Sequence, residues 1–127
     1  MPKTARRARR ARKPDVSCRP PNLALSKRRG ITDKEARELM GLFKVLANDN
    51  RLRMIQVLAR AGKMRVTDLA KKMGMKPQAI SNQLQRLVDK DILGSARNGN
   101  NIYYHIVDPC VPNLLESGLC LLKNAAI

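Results

Sequence analysis

Three aromatic residues, one histidine and three cysteines are all that this 127-residue chain carries of several side chains that do chemistry or stack on bases. Platforms for single-stranded nucleic acid stack bases on several aromatics, so Phe43, Tyr103 and Tyr104 argue against one. With His105 as the single histidine, no Ser-His-Asp set exists. No phosphate loop and no pair of carboxylates in a plausible pocket takes its place, so an enzyme is not expected. Cys18, Cys110 and Cys120 make an odd number, which argues against a disulfide scaffold. They leave three readings: a soft-metal site, an oxidant sensor, or small apolar fillers. No apolar run nears the ~20 residues that span a bilayer. The N-terminus also lacks the hydrophobic segment of a secretory signal. The expectation is a cytoplasmic protein with no membrane partner.

Acid is scarce as well. Ten Asp and Glu stand against 26 Lys and Arg, a formal net charge of +16. That balance favours a polyanionic partner, and with few aromatics duplex DNA fits best. Residues 1–30 hold 11 of the basic residues and a single acid, Asp15. Ala and Arg alternate there, then Pro14, Pro20, Pro21 and Gly30 interrupt any helix. Nothing in the stretch could build a core, so residues 1–30 read as a basic disordered arm that touches phosphates without sequence preference.

Residues 31–124 read as one DNA-binding and dimerisation domain. Thr32 and Glu35 match a capping box, and Leu39, Leu42, Phe43 and Leu46 stripe the helix that follows. Asn48-Asp49-Asn50 breaks it, with Asp49 able to cap a second helix that ends at Gly62. Leu52, Ile55, Val57, Leu58 and Ala59 are expected mostly inside that helix's packing. Met64-Arg65-Val66 reads as an extended connector. From Val66 to Asp91 the pattern is a helix-turn-helix. Thr67 is the expected N-cap, Gly74 the stop, and Pro77 the first residue of the second helix. Ile80, Leu84, Leu87 and Val88 share one face at helical spacing. The other face carries Gln78, Ser81, Asn82, Gln85 and Arg86, with Gln83 near its edge. These short or forked hydrogen-bonding groups suit base edges and phosphates in a major groove.

Asn98-Gly99 between strand-forming residues signals a hairpin. A hairpin after a recognition helix is a wing, with Arg97, Asn98 and Asn100 near the DNA backbone or minor groove. Asp108 then caps a last helix with Pro109 at its first position. That helix carries Val111, Leu114, Leu115, Leu119 and Leu122, and is too apolar for the surface of so small a domain. Gly118 inside it would permit close helix contact. The expected fold is mainly α with a small β-hairpin, a winged helix-turn-helix of order α-α-α-α-β-β-α. It would form a homodimer through its first and last helices and read an inverted-repeat operator in double-stranded DNA.

At residues 33–122 the chain resembles the arsenic-repressor (ArsR/SmtB) family of bacterial winged-helix regulators. The resemblance rests on Leu42–Ile55, on Ala79–Leu87 of the helix-turn-helix, and on the wing ending Tyr103-Tyr104-His105-Ile106. It implies a homodimeric repressor that leaves its operator when an effector binds, commonly a metal or metalloid ion. Many members carry Cys-Val-Cys where this chain has Met64-Arg65-Val66-Thr67-Asp68, so that site is missing. A second family site on the last helices, shared between subunits, uses Asp-x-His. Here Asp108-Pro109-Cys110 puts a thiol in the histidine's place, and Cys120 follows ten residues on. Ten helical residues span about 15 Å, so Cys110 and Cys120 cannot hold one ion within a subunit. Antiparallel last helices could pair Cys110 with the partner's Cys120, and Cys18 could add a third sulfur. Three thiolates would select As(III), Cd(II), Pb(II) or Zn(II), with Asp108 or His105 available to zinc. The alternatives are a disulfide or polysulfide bridge sensing oxidant or reactive sulfur, and an effector-independent architectural DNA binder.

Overall fold

The computed structural model describes residues 25–126, with side chains to Lys123. Cys18 and most of the basic arm lie outside the described residues. A 3-10 turn (Leu25–Lys27) is followed by α1 (Asp33–Leu46), α2 (Asp49–Ala61), β1 (Met64–Arg65), α3 (Val66–Met73) and α4 (Pro77–Asp89). Then come β2 (Leu93–Asn98), β3 (Asn101–Ile106) and α5 (Cys110–Ala126). This is the expected winged helix with one strand more: β1 joins the hairpin, giving the antiparallel order β1-β3-β2. Met64 pairs with Tyr104 and Arg65 with Tyr103. Two residues are too few to show a period of two, so only pairing with β3 marks them as a strand.

The capping box forms as expected. Glu35 N donates to Thr32 Oγ1 at 3.0 Å, and Thr32 N donates back to Glu35 Oε1 at 3.0 Å. Arg29 adds a two-pronged contact, 3.1 and 2.8 Å to the same carboxylate. The end of the basic arm is therefore tied to α1 through Arg29, where a wholly disordered arm was expected. Helix α2 is capped by Asn48, whose Oδ1 accepts from Arg51 N at 3.0 Å. Asp49, the expected cap, sits one residue inside, where its charge still favours the first turn.

Twelve apolar residues form the buried core, among them Met54, Ile55 and Leu58 of α2, Leu69 of α3, and Ile80, Leu84, Leu87 and Val88 of α4. On α2 the buried set is Arg51, Met54, Ile55 and Leu58, a strict i, i+3, i+4, i+7 face. Leu52 and Ala59, expected inside, lie on the exposed side. Ile92 and Leu93 carry the core into the sheet, and Tyr104 and Ile106 pack on it from β3. Gly99 begins the two-residue hairpin loop with φ +68°, a position that favours glycine.

Two helices leave apolar surface open. On α1, Leu39, Met40 and Phe43 are 43, 51 and 46% exposed, and on α5 Leu119, Leu121 and Leu122 are 57, 69 and 68% exposed. A Cβ at Gly118 would meet nothing within 4 Å in this chain.

Arg29 and the Thr32 amide hold the Glu35 carboxyl down, from an ordinary 4.5 to about 2. Because the folded value is the lower one, the support this box gives α1 is complete above pH 4.5. It fades as the pH falls from there toward 2. An NMR titration of the Glu35 carboxyl should show that low midpoint, and Arg29→Ala should move it up toward the ordinary value.

Candidate nucleic-acid interface

The reading unit is α3, a tight turn, and α4. Helix α3 starts at Val66, directly after β1, so its cap falls two residues before the Thr67 expected. Its N-cap is Arg65, which has no side-chain cap bond. Arg65 instead grips Asp68 in the first turn, Nε to Oδ2 at 3.0 Å and the second prong at 3.2 Å, and reaches Asn101 of β3 at 3.4 Å. The arginine's charge and hydrogen bonds hold the Asp68 carboxyl below its ordinary range. An ion pair thus occupies the place where many arsenic-repressor relatives carry Cys-Val-Cys. Gly74 ends α3 at φ +66°, and its amide and that of Met75 return to the Lys71 and Ala70 carbonyls. This left-handed C-terminal motif reverses the chain. Pro77 then opens α4, where a missing amide is harmless.

Helix α4 divides cleanly. Ile80, Leu84, Leu87 and Val88 are buried, while Gln78, Asn82 and Arg86 are exposed and Ser81 and Gln85 half-buried. Gln78 Nε2 donates to Asn82 Oδ1 at 3.2 Å, and Gln85 Nε2 to Asp89 Oδ1 at 2.9 Å. These i, i+4 pairs align the amides along the outer face. Gln83 lies on the flank, and its Oε1 accepts from Arg51 of α2. That contact gives Gln83 a partner inside the molecule. Burial first, and the nearby Arg86 charge second, push the Arg51 pKa down.

At the wing, Arg97, Asn98 and Asn100 are all exposed, with Asn98 paired to Asn101 at the end of the ladder. Lys63 lies over the Tyr103 ring at 5.2 Å from its centre. Lys71, Lys72 and Lys76 are also exposed around the helix-turn-helix turn. Sequence reading passed over these lysines, although the run Lys71-Lys72-Met73-Gly74-Met75-Lys76 shows the charge. Lysine beside a major-groove helix suits phosphate oxygens rather than bases.

The cysteines sit apart from this face. Cys110 is half-buried in the first turn of α5, and Cys120 is exposed among the open leucines. Asp108 caps the helix, its Oδ1 accepting from Cys110 N at 2.9 Å. Among the described residues no three His, Cys, Asp or Glu side chains gather where they could hold a metal ion. His105 packs against Gly94, where an added Cβ would come within 3.1 Å of the ring.

Comparison with known proteins agrees with this architecture. A family profile described as MarR family matches residues 48–99, from α2 to the wing tip. The transcriptional repressor SmtB homolog of Synechocystis sp. PCC 6803 is 36% identical over 80 residues, 63% of this chain and 60% of that protein. The crystal structure of the AntR antimony-specific transcriptional repressor shares 58% identity at a TM-score of 0.71, covering 88% of this chain and 98% of that one. The solution structure of the homodimeric winged helix-turn-helix domain Mb0332 from Mycobacterium bovis, a possible ArsR-family regulator, is 26% identical. Its TM-score is 0.67, with 78% of this chain and 94% of that one covered. Among the described residues no helix is long and apolar enough to cross a membrane. With its α3-turn-α4 reading unit and three-stranded wing, the chain belongs to the ArsR/SmtB family of winged helix-turn-helix transcriptional regulators, a family of DNA-binding proteins and not of enzymes.

Proposed function

We propose that this chain is a dimeric transcriptional repressor that reads an inverted-repeat operator with α4 and leaves it when a soft metalloid ion binds. One observation carries the reading: the exposed face of α4 consists of amides, a hydroxyl and a guanidinium over a fully apolar inner face. Those groups are chemically matched to base edges and phosphates. The open leucines of α5 and the apolar residues of α1 offer a surface for a twofold seam, and the similar Mb0332 domain is homodimeric.

The effector reading rests on donor chemistry. Cys110 and Cys120 stand about 15 Å apart along α5, so a site needs two chains, with Cys110 of one beside Cys120 of the other. Thiolates select soft ions, and the likeness to an antimony-specific repressor puts trivalent antimony first, with arsenite next and Cd(II), Pb(II) and Zn(II) behind. Cys18 could complete a three-sulfur site. Asp108 already serves as a helix cap, so it is a weaker candidate ligand.

Fluorescence anisotropy on the protein's own promoter fragment tests the whole reading. Antimonite should release the operator from the wild type but not from Cys110→Ser, which should still bind DNA normally. Release by a polysulfide donor alone would shift the effector to sulfur chemistry, and equal binding under every condition would remove the sensor. Arg86→Ala should weaken specific binding by ~1–3 kcal/mol, whereas Lys76→Ala should weaken all duplexes alike and lower the salt slope by about one. A protein lacking residues 1–30 should keep its operator preference with a flatter salt dependence. Loss of most affinity would favour the architectural binder.

A further inference from the structure

Arg51 is the one charged side chain in the buried set of the described residues. Its location is unfavourable for a cation: it lies in the first turn of α2, at the positive end of that helix's dipole. The ion pairs Arg29–Glu35 and Arg65–Asp68 lie elsewhere in the fold, and the bonds Arg51 makes run to uncharged acceptors. Its guanidinium is satisfied by two neutral oxygens on two other helices. Nε donates to the Val45 carbonyl at 2.6 Å, and a terminal nitrogen donates to Gln83 Oε1. The Val45 carbonyl belongs to the last turn of α1, where helix carbonyls lack an amide four residues on and the dipole is negative. Gln83 is in the middle of α4, one turn from Arg86. One rigid fork therefore joins the end of α1, the start of α2 and the flank of the recognition helix.

We propose that Arg51 is a positioning residue for operator reading: its guanidinium clamps α4, through Gln83, to the last turn of α1. This rests on the proposal that α4 reads DNA. The orientation in which α4 presents Asn82 and Arg86 is then set by α1, whose Met40 and Phe43 form part of the open face assigned to the subunit seam. Gln83 acts from behind the reading face and not on a base. Only arginine can do this, because its planar fork offers two separated donors whereas lysine offers a single nitrogen.

The test titrates the full chain on its promoter duplex and on a scrambled duplex of equal length. The readout is the ratio of the two affinities, with thermal melting followed in parallel. Arg51→Lys, Gln83→Ala and the double variant are compared. The clamp predicts at least a tenfold fall in the ratio for each single change, no further fall in the double, and unchanged binding to scrambled DNA. A merely structural part would lower the melting temperature and leave the ratio alone, which overturns the proposal. Additive losses overturn it too, since they would make Gln83 an independent base reader. Should Arg51→Lys not fold, Gln83→Glu decides, because it keeps an acceptor for Arg51. A ratio near wild type supports the clamp, and one as low as that of Gln83→Ala overturns it. If the wild type itself shows no preference for its promoter, the DNA-reading proposal falls and the clamp with it. A wild type with that preference and an Arg51→Lys variant that matches it sink the clamp alone.

Discussion

Ile80, Leu84, Leu87 and Val88 are withdrawn from water on one side of α4, and their burial dictates what the opposite side can do. Each such side chain contributes about 1.5–3 kcal/mol when fully buried, far more than any hydrogen bond on the outer face. Helix α4 therefore cannot turn its apolar face toward solvent, and a polar contact on its flank can set only the finer angle at which it lies. Its outer row is backed by Leu69 of α3 and Leu93 of β2, and Gly74 and Pro77 fix where it starts. A pre-formed face loses little entropy on docking, which is what the proposed reading of base edges by short side chains such as Ser81 and Asn82 requires.

The rest of the polar structure is arranged around that fixed helix. Arg65 and Asp68 lock the first turn of α3 against β3, and Lys63 stacks on Tyr103 beside them. In relatives with cysteines at this point, a bound ion could change the geometry. Here the Arg65–Asp68 ion pair stands at that point, and the proposed effector site falls to the thiols of α5.

Much of this was legible in the residues. Gly74, Pro77 and the Thr32–Glu35 box are local signals, each complete within four residues, and each forms as read. The inner face of α4 was equally plain because its period is unbroken. What failed to show was what depends on distant partners. β1 is two residues long and exists only because Tyr103 and Tyr104 pair with it. Asn48 takes the cap position because it is extended at φ −156° and its Oδ1 reaches Arg51 N, while Asp49 is already the first helical residue. On α2, reading Leu52 and Ala59 as inside spread the apolar set too widely, whereas Val57 does pack against the core. Counting back from Leu58 and Ile55 by helical steps lands on Arg51, so the period itself pointed to a buried cation. Hydrophobicity argued the other way, and the Val45 and Gln83 oxygens that make its burial tolerable are invisible until α1 and α4 are packed.

That same packing suggests how a thiol-bound ion would be felt at DNA. Helix α5 packs on α2, and α2 packs on α4. In an antiparallel pair of α5 helices, with Cys110 in the first turn and Cys120 ten residues on, the twofold axis would generate two equivalent thiol pairs that both cross the seam. An ion bridging a pair can shift the two chains only by moving α5 as a rod against α2. The first turn of α2 carries Arg51, whose fork admits small displacements poorly because both acceptors are on other helices. A discrete loss of the Gln83 contact is then the economical response, and a helix released on that flank no longer presents Asn82 and Arg86 at a common angle in both half-sites. Coupling of this kind requires two alternative arrangements of the same contacts rather than a continuous strain; the structure shows the Arg51 fork closed on α4, and the proposed clamp would supply the second by parting.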